Sequence, residues 1–233
     1  MQQPKIAVIT YNTPHRKSQD VLFQLKAKNY HDVHAFALPF VHRENPFKPL
    51  YQHRPSKAID VKPNTLCENL GYTFETTTAE TLNKQLNELK ADFVIIAGAG
   101  LLPDELVLNH RLINAHPGYL PFTRGLDSLK WAIMKNERIG ITTHFVDTEA
   151  DAGFLIDQQY VPIYANDTFH SVAYRQYEME IEMLIEALDL IPKRNDFPSL
   201  ATTKYEATRR MPKAIEENLM KTFELYKSRF AEA

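Results

Sequence analysis

A chain of 233 residues with 44% hydrophobic and 24% charged side chains carries enough apolar material for one sizeable packed domain, and it is neither fibrous nor low-complexity. A formal charge of −2 gives no general attraction for nucleic acid or an anionic membrane, and a single cysteine, Cys67, excludes an internal disulfide and suits a reducing compartment. The start MQQPKIAVIT lacks a basic segment followed by a long apolar run, and no apolar run approaches a membrane span, so a soluble, cytoplasmic protein is expected.

Taken in chain order, KIAVIT (5–10) is short, apolar and β-branched and reads as a buried strand. The polar turn YNTPHRK follows, and SQDVLFQLKAK then has helical spacing at Val21, Leu22 and Leu25. VHAFAL (33–38) is a second strand. Residues 39–71 hold several prolines and little periodicity, which predicts a long loop or excursion. Thr77 with Glu80 predicts a capping box, ahead of a helix with Leu82, Leu86 and Leu89 on one face. DFVIIA (92–97) is a buried strand ending in glycines, and LINAH (112–116) another central one. LDSLKWAIMKN (126–136) reads as a helix with Leu126, Leu129, Ile133 and Met134 inward and Trp131 in the core. ITTHFV and IDQQYVPI are strands suited to pair with each other. From Thr168 onward the pattern is helical, with Pro192 and Pro198 bounding a loop before a last helix at 215–230.

Strands alternating with helices predict an α/β fold with a mostly parallel sheet covered by helices, followed by a C-terminal helical segment. The expected organisation is one domain over 1–190 with an extension, 191–233, packed on it. In such sheets ligands bind beyond the carboxyl ends of the strands. That rule places the 97–102 turn and the end of LINAH at one crevice.

Asn114 and His116 are two apart, so on a strand both point to one face while Ala115 takes the other. Pro117 cannot continue a central ladder, which ends the strand and leaves His116 at its lip. Asp151 lies in a second loop with Gly153 two residues on, where glycine permits a close-approach backbone. Spacing alone does not bring Asp151 to His116.

The two segments NAHPGYLP…RG and THFVDTEADAG…Q together resemble the formyltransferases that use 10-formyltetrahydrofolate. The matched positions are Asn114, His116, Pro117, Leu120, Pro121, Arg124, Gly125, Thr142, His144, Asp151, Gly153 and Gln158, with AGAGLLP upstream similar to the family's folate-side turn. The resemblance runs through residues 90–165 and takes in KIAVIT loosely. It implies a Rossmann-like twisted sheet with helices on both faces.

The resemblance implies a mechanism in which an acceptor amine attacks the formyl carbon on N10 of the cosubstrate. Asn114 would donate to the developing oxyanion, protonated His116 would stabilise it and handle protons, and Asp151 would favour the charged ring. Removing one donor of this kind in other enzymes costs roughly 3 kcal/mol. The turn at Gly98, Gly100, Leu101 and Leu102 would hold the pterin, and the loop with Thr148, Ala150 and Gly153 would close over it. No metal is implied. His144 reads as a packed strand residue and Arg124 with Gly125 as a turn, the arginine supporting the active-site loop or the acceptor.

The acceptor side departs from well-known members. Glycinamide ribonucleotide transformylases carry a glycine-rich loop after the first strand; TYNTPHRKSQ has no glycine, leaving Asn12, His15, Arg16 and Lys17 as candidate acceptor contacts. Methionyl-tRNA formyltransferases add a C-terminal RNA-binding domain and formyltetrahydrofolate hydrolases an N-terminal regulatory one, neither of which this pattern suggests. The expected acceptor is thus the amine of a small molecule, an amino sugar joined to a nucleotide, with glycinamide ribonucleotide second. The 39–63 excursion and the stretches YQHRPSK and TTKYEATRRMPK are the places to look for its pocket. Hydrolysis of the formyl group and a catalytically silent folate-binding protein are the competing classes. Neither nucleic acid nor membrane is an expected partner, and packing of the C-terminal helices offers a route to a homodimer.

Overall fold

The computed structural model describes residues 3–41, 44–149, 153–200 and 205–232. Seven strands form one sheet in the order β3-β2-β1-β4-β5-β6-β7. They are β1 Ile6–Tyr11, β2 Val33–Leu38, β3 Thr73–Thr76, β4 Phe93–Ile96, β5 Leu112–His116, β6 Gly140–Phe145 and β7 Phe154–Tyr160. β3, β2, β1, β4 and β5 pair in parallel, whereas β6 is antiparallel to both of its neighbours, β5 and β7. The predicted α/β class and the pairing of β6 with β7 therefore both hold.

Helices cover both faces, as they must when central strands are apolar on each side. On one face α1 (Arg16–Ala27), α2 (Pro63–Leu70), α5 (Ser128–Lys135), α6 (Phe169–Leu190) and α8 (Leu219–Phe230) share a core with Ile6, Val8, Ile113 and Ala115. On the other, α3 (Ala79–Leu89) and α4 (Asp104–Asn109) pack Leu82, Leu86, Leu106 and Val107 against Ala7, Ile9, Val94 and Leu112. Leu219, Phe223 and Tyr226 of α8 belong to the main core. A short helix α7, Lys213–Glu216, precedes it.

Several expectations are corrected. The 39–71 stretch is a loop only to residue 62; Pro63 opens α2, at the helix start where a missing N–H costs nothing, and Gly71 closes it at φ 75°. β3 lacks an apolar alternation because it is a mostly exposed edge strand. The cap of α3 is Thr78 with Thr81, not Thr77 with Glu80, because the Thr77 N–H is still engaged with Ala37 O (3.0 Å). α5 starts at Ser128, after Asp127 in the left-handed region, so Leu126 is exposed rather than inward. Trp131 is half-buried and its indole N–H donates to Arg209 O at 2.8 Å, so it is a surface-layer contact and not core.

The 39–62 excursion is fastened to the body by side chains that answer its backbone groups. The Gln19 amide exchanges two hydrogen bonds with Ile59, 2.8 and 2.7 Å. Glu216, paired with the fully buried Lys130, accepts from the N–H groups of Leu50 and Tyr51. Satisfying these donors and acceptors is what lets an irregular segment lie against the core.

Candidate active site

Alternation along β5 sends Ile113 and Ala115 into the main core and Leu112 into the other one, so Asn114 and His116 share the face of Leu112. His116 is buried (5% exposed) and Asn114 half-buried. The imidazole Nε2 of His116 lies 2.7 Å from Thr123 O. A carbonyl only accepts, so Nε2 carries the proton of this contact. A Cβ on Gly118 would stand 2.7 Å from that nitrogen and 2.5 Å from the carbonyl, so only glycine allows the contact.

The loop that supplies Thr123 is built by the other motif residues. Thr142 Oγ1 donates to Gly118 O (2.8 Å) and accepts from Leu120 N (3.0 Å) and Gln158 Nε2 (2.9 Å), which uses its full hydrogen-bonding capacity. Gln158 also donates to Leu120 O at 2.7 Å, and the Leu120–Pro121 peptide is cis. Leu120, Thr142 and Gln158 thus shape the loop, with Pro121 at its cis peptide.

His144, 1% exposed, lies within 3.2 Å of Phe145 O through Nδ1, which makes Nε2 an acceptor for the Asn114 amide N–H at 3.4 Å. The sequence reading of a packed residue holds, and its contact adds orientation of Asn114. The Asn114 side chain makes no other hydrogen bond among the described residues.

Asp151 and Ala150 lie outside the described residues. The described residues before and after them make close contacts. Thr148 N donates to Asp147 Oδ1 (2.7 Å), and Glu149 Oε1 accepts from Arg124 Nη2 (2.8 Å). Gly153 has φ 103° and lies against Phe145 O so closely that no side chain fits. In the turn after β4, Gly98 packs on Tyr11, His15 and Ser18, while Gly100 faces open space and Leu101 is 96% exposed. Leu102 packs partly on the smaller core.

On the acceptor side the candidate residues divide. Asn12 is exposed, and its Oδ1 accepts from Phe40 N. His15 caps α1, and burial, then the charges of Lys17 and Arg54, lower its pKa to about 4. Arg16 is paired with Asp20 (2.7 Å). Lys17 reaches Glu180 at 2.7 Å and Ala115 O at 3.4 Å, beside the end of β5. Arg54, from the excursion, meets the other Glu180 oxygen at 2.7 Å, an ion contact without hydrogen-bond alignment. Burial works against the Glu180 charge, but Arg54 and Lys17 outweigh it and hold its pKa below the usual range. Sequence reasoning flagged the stretch holding Arg54 but had no signal for Glu180, which lies in α6.

A twisted sheet of this order, with an Asn-x-His strand end and a second loop closed by glycine, is the arrangement of the formyl transferase family. Residues 4–188 match that family, and the chain belongs to it. It is 32% identical over 138 residues to a methionyl-tRNA formyltransferase of Fusobacterium nucleatum, covering 57% of this chain and 44% of that protein. It is 33% identical over 89 residues to the dTDP-4-amino-4,6-dideoxyglucose formyltransferase of Mycobacterium tuberculosis, covering 38% of each. This chain thus spans less than half the length of either relative. Among solved structures, phosphoribosylglycinamide formyltransferase from Anaplasma phagocytophilum superposes with a TM-score of 0.62 at 20% identity, over 91% of this chain and 96% of that one. At that identity the likeness bears on the fold.

Proposed function

We propose that this protein is an N-formyltransferase that moves the formyl group of 10-formyltetrahydrofolate to the amine of a small anionic acceptor, an amino sugar joined to a nucleotide. The observation that carries the reading is the pair on β5: an Asn114 amide and a His116 imidazole project from one strand face where the strand ends.

The cosubstrate supplies an electrophilic formyl carbon. Asn114 donates an N–H to the oxygen on which charge develops, and does so from a half-buried position where such a donor is worth more than in water. His116 takes part through Nδ1, since Nε2 is committed to Thr123 O. Asp151 is assigned the stabilisation of the charged ring. The open Gly100 backbone and the exposed Leu101 suit a flat, partly apolar ligand, which supports folate at this end of the sheet.

Lys17, beside Ala115 O of β5, and Arg54, on the other oxygen of Glu180, set two positive charges against one carboxylate. That surplus supports an acceptor with a phosphate or diphosphate. The relatives named as sugar-nucleotide formyltransferases agree with it. A second reading, formylation of a methionyl-tRNA, is favoured by the relative named for that reaction; glycinamide ribonucleotide and hydrolysis by water follow.

The test mixes the protein with 10-formyltetrahydrofolate and separate amines: sugar nucleotides bearing a free amine, glycinamide ribonucleotide and methionyl-tRNA. Mass spectrometry reads which gains a formyl group. Formylation of a sugar nucleotide supports the proposal. Transfer only to one of the others replaces the acceptor, and formate release without any amine replaces transfer by hydrolysis.

A further inference from the structure

We infer that residues 205–211, beyond the matched 4–188 segment, are a working part of the active site, and that Arg124 is the positioning residue that couples them to it. The inference rests on the proposed roles of His116 and of the loop that includes Asp151.

The strap runs alongside the loop that covers His116. Thr208 pairs with Gly125 as a parallel bridge; its N–H and hydroxyl both donate to Arg124 O, at 3.0 and 2.7 Å, and the hydroxyl also lies 2.8 Å from Leu126 O. Leu126 N donates back to Thr208 O at 2.8 Å. Gly125 has φ 85° and lies so close to the Thr208 backbone that any side chain would push the strap away. Further along, Asp127 Oδ2 accepts from Met211 N (2.9 Å), and Met211 is fully buried. The indole of Trp131 holds Arg209 O.

Arg124, 5% exposed, joins three segments through one side chain and its own carbonyl. Nη1 donates to Tyr205 O (2.9 Å) and Nη2 to Glu149 Oε1 (2.8 Å). Glu149 is two residues before Asp151, and Arg124 directly follows Thr123, whose carbonyl fixes His116 Nε2. The guanidinium fork can hold two divergent partners in a fixed geometry, which an ammonium on a flexible stem does not. A strap, an imidazole anchor and the neighbour of the carboxylate loop thus share one rigid junction. Misplacing reacting groups by an ångström is costly to rate while leaving ground-state binding almost intact.

The experiment compares wild type with Arg124→Lys and Thr208→Val. Steady-state kinetics are measured on whichever amine the wild type formylates, and the His116 ring nitrogens are followed by NMR without substrate. Expected are variants that remain folded, kcat lowered on the order of tenfold or more with KM for both substrates nearly unchanged, and His116 nitrogen shifts that move from a fixed Nε2–H form towards a tautomer mixture. Folded variants with unchanged kcat and unchanged His116 shifts overturn the inference. A rise in acceptor KM at constant kcat overturns it too, making Arg124 an acceptor contact. If the wild type formylates nothing, the functional proposal fails, and the His116 shifts still decide whether the strap fixes the ring. If Arg124→Lys does not fold, Thr208→Val decides alone.

Discussion

The imidazole Nε2 of His116 lies 2.7 Å from the carbonyl oxygen of Thr123, and Gly118 is the residue that lets them meet. Gly118→Ala would put a methyl group within van der Waals overlap of both, so ring or loop has to move. The expected result is a folded protein with formyl transfer reduced about a hundredfold, the size of effect that follows an ångström of misplacement. Activity near wild type would show that the His116–Thr123 contact is dispensable.

Asn114 depends on His144 for its orientation, since the Nδ1 contact to Phe145 O leaves Nε2 to accept from the amide. Asn114→Ala is expected to lower kcat by about 10²–10³, as for other single oxyanion donors. His144→Ala should lower it less, and the two effects should not add, because both act through one amide. Full additivity in the double variant would place His144 outside this chain of contacts.

β5 was legible to the residue because its alternation and Pro117 stop are local signals. The matched glycines were legible too, since Gly125 and Gly153 stand at positive φ where no side chain fits. What sequence could not supply were partners set by the fold. Glu180 meets Lys17 from the far end of the chain, and Thr208 meets Arg124 from beyond the family segment. Neither contact leaves a periodic trace. β3 was missed for a different reason: an exposed edge strand has no apolar face to alternate.

Two histidines, His15 at the α1 cap and His53 in the 39–62 excursion, make stability depend on pH. His15 and His53 both have their pKa lowered to about 4, first by burial and then, for His15, by Lys17 and Arg54, and for His53 by Lys130 and Arg54, against opposing carboxylates. Between the ordinary value of 6.5 and about 4 the unfolded chain binds more protons than the folded one. Their contribution is therefore complete above 6.5 and is lost as pH falls through that window. Melting temperature is expected to fall from pH 7 to 4. His15→Asn, which keeps a good helix cap, should flatten that slope without changing its sign. An unchanged slope would mean that His15 is not held neutral.

Arg54 is the residue of the excursion through which acceptor choice is most directly tested. It stands a third exposed, with Lys17 less so, and the two share a carboxylate that is 1% exposed. Two cations against one carboxylate leave one net positive charge for an arriving phosphate. Arg54→Gln keeps most of the side-chain volume and removes the charge. For an acceptor bearing phosphate, KM is expected to rise about tenfold, with the gap from wild type narrowing as salt is added, because partly exposed charges are screened. For a truncated amine without phosphate, KM should change little. An equal rise for both acceptors would mean that Arg54 shapes the pocket through packing against Glu180 and Tyr177, and that the phosphate is bound elsewhere.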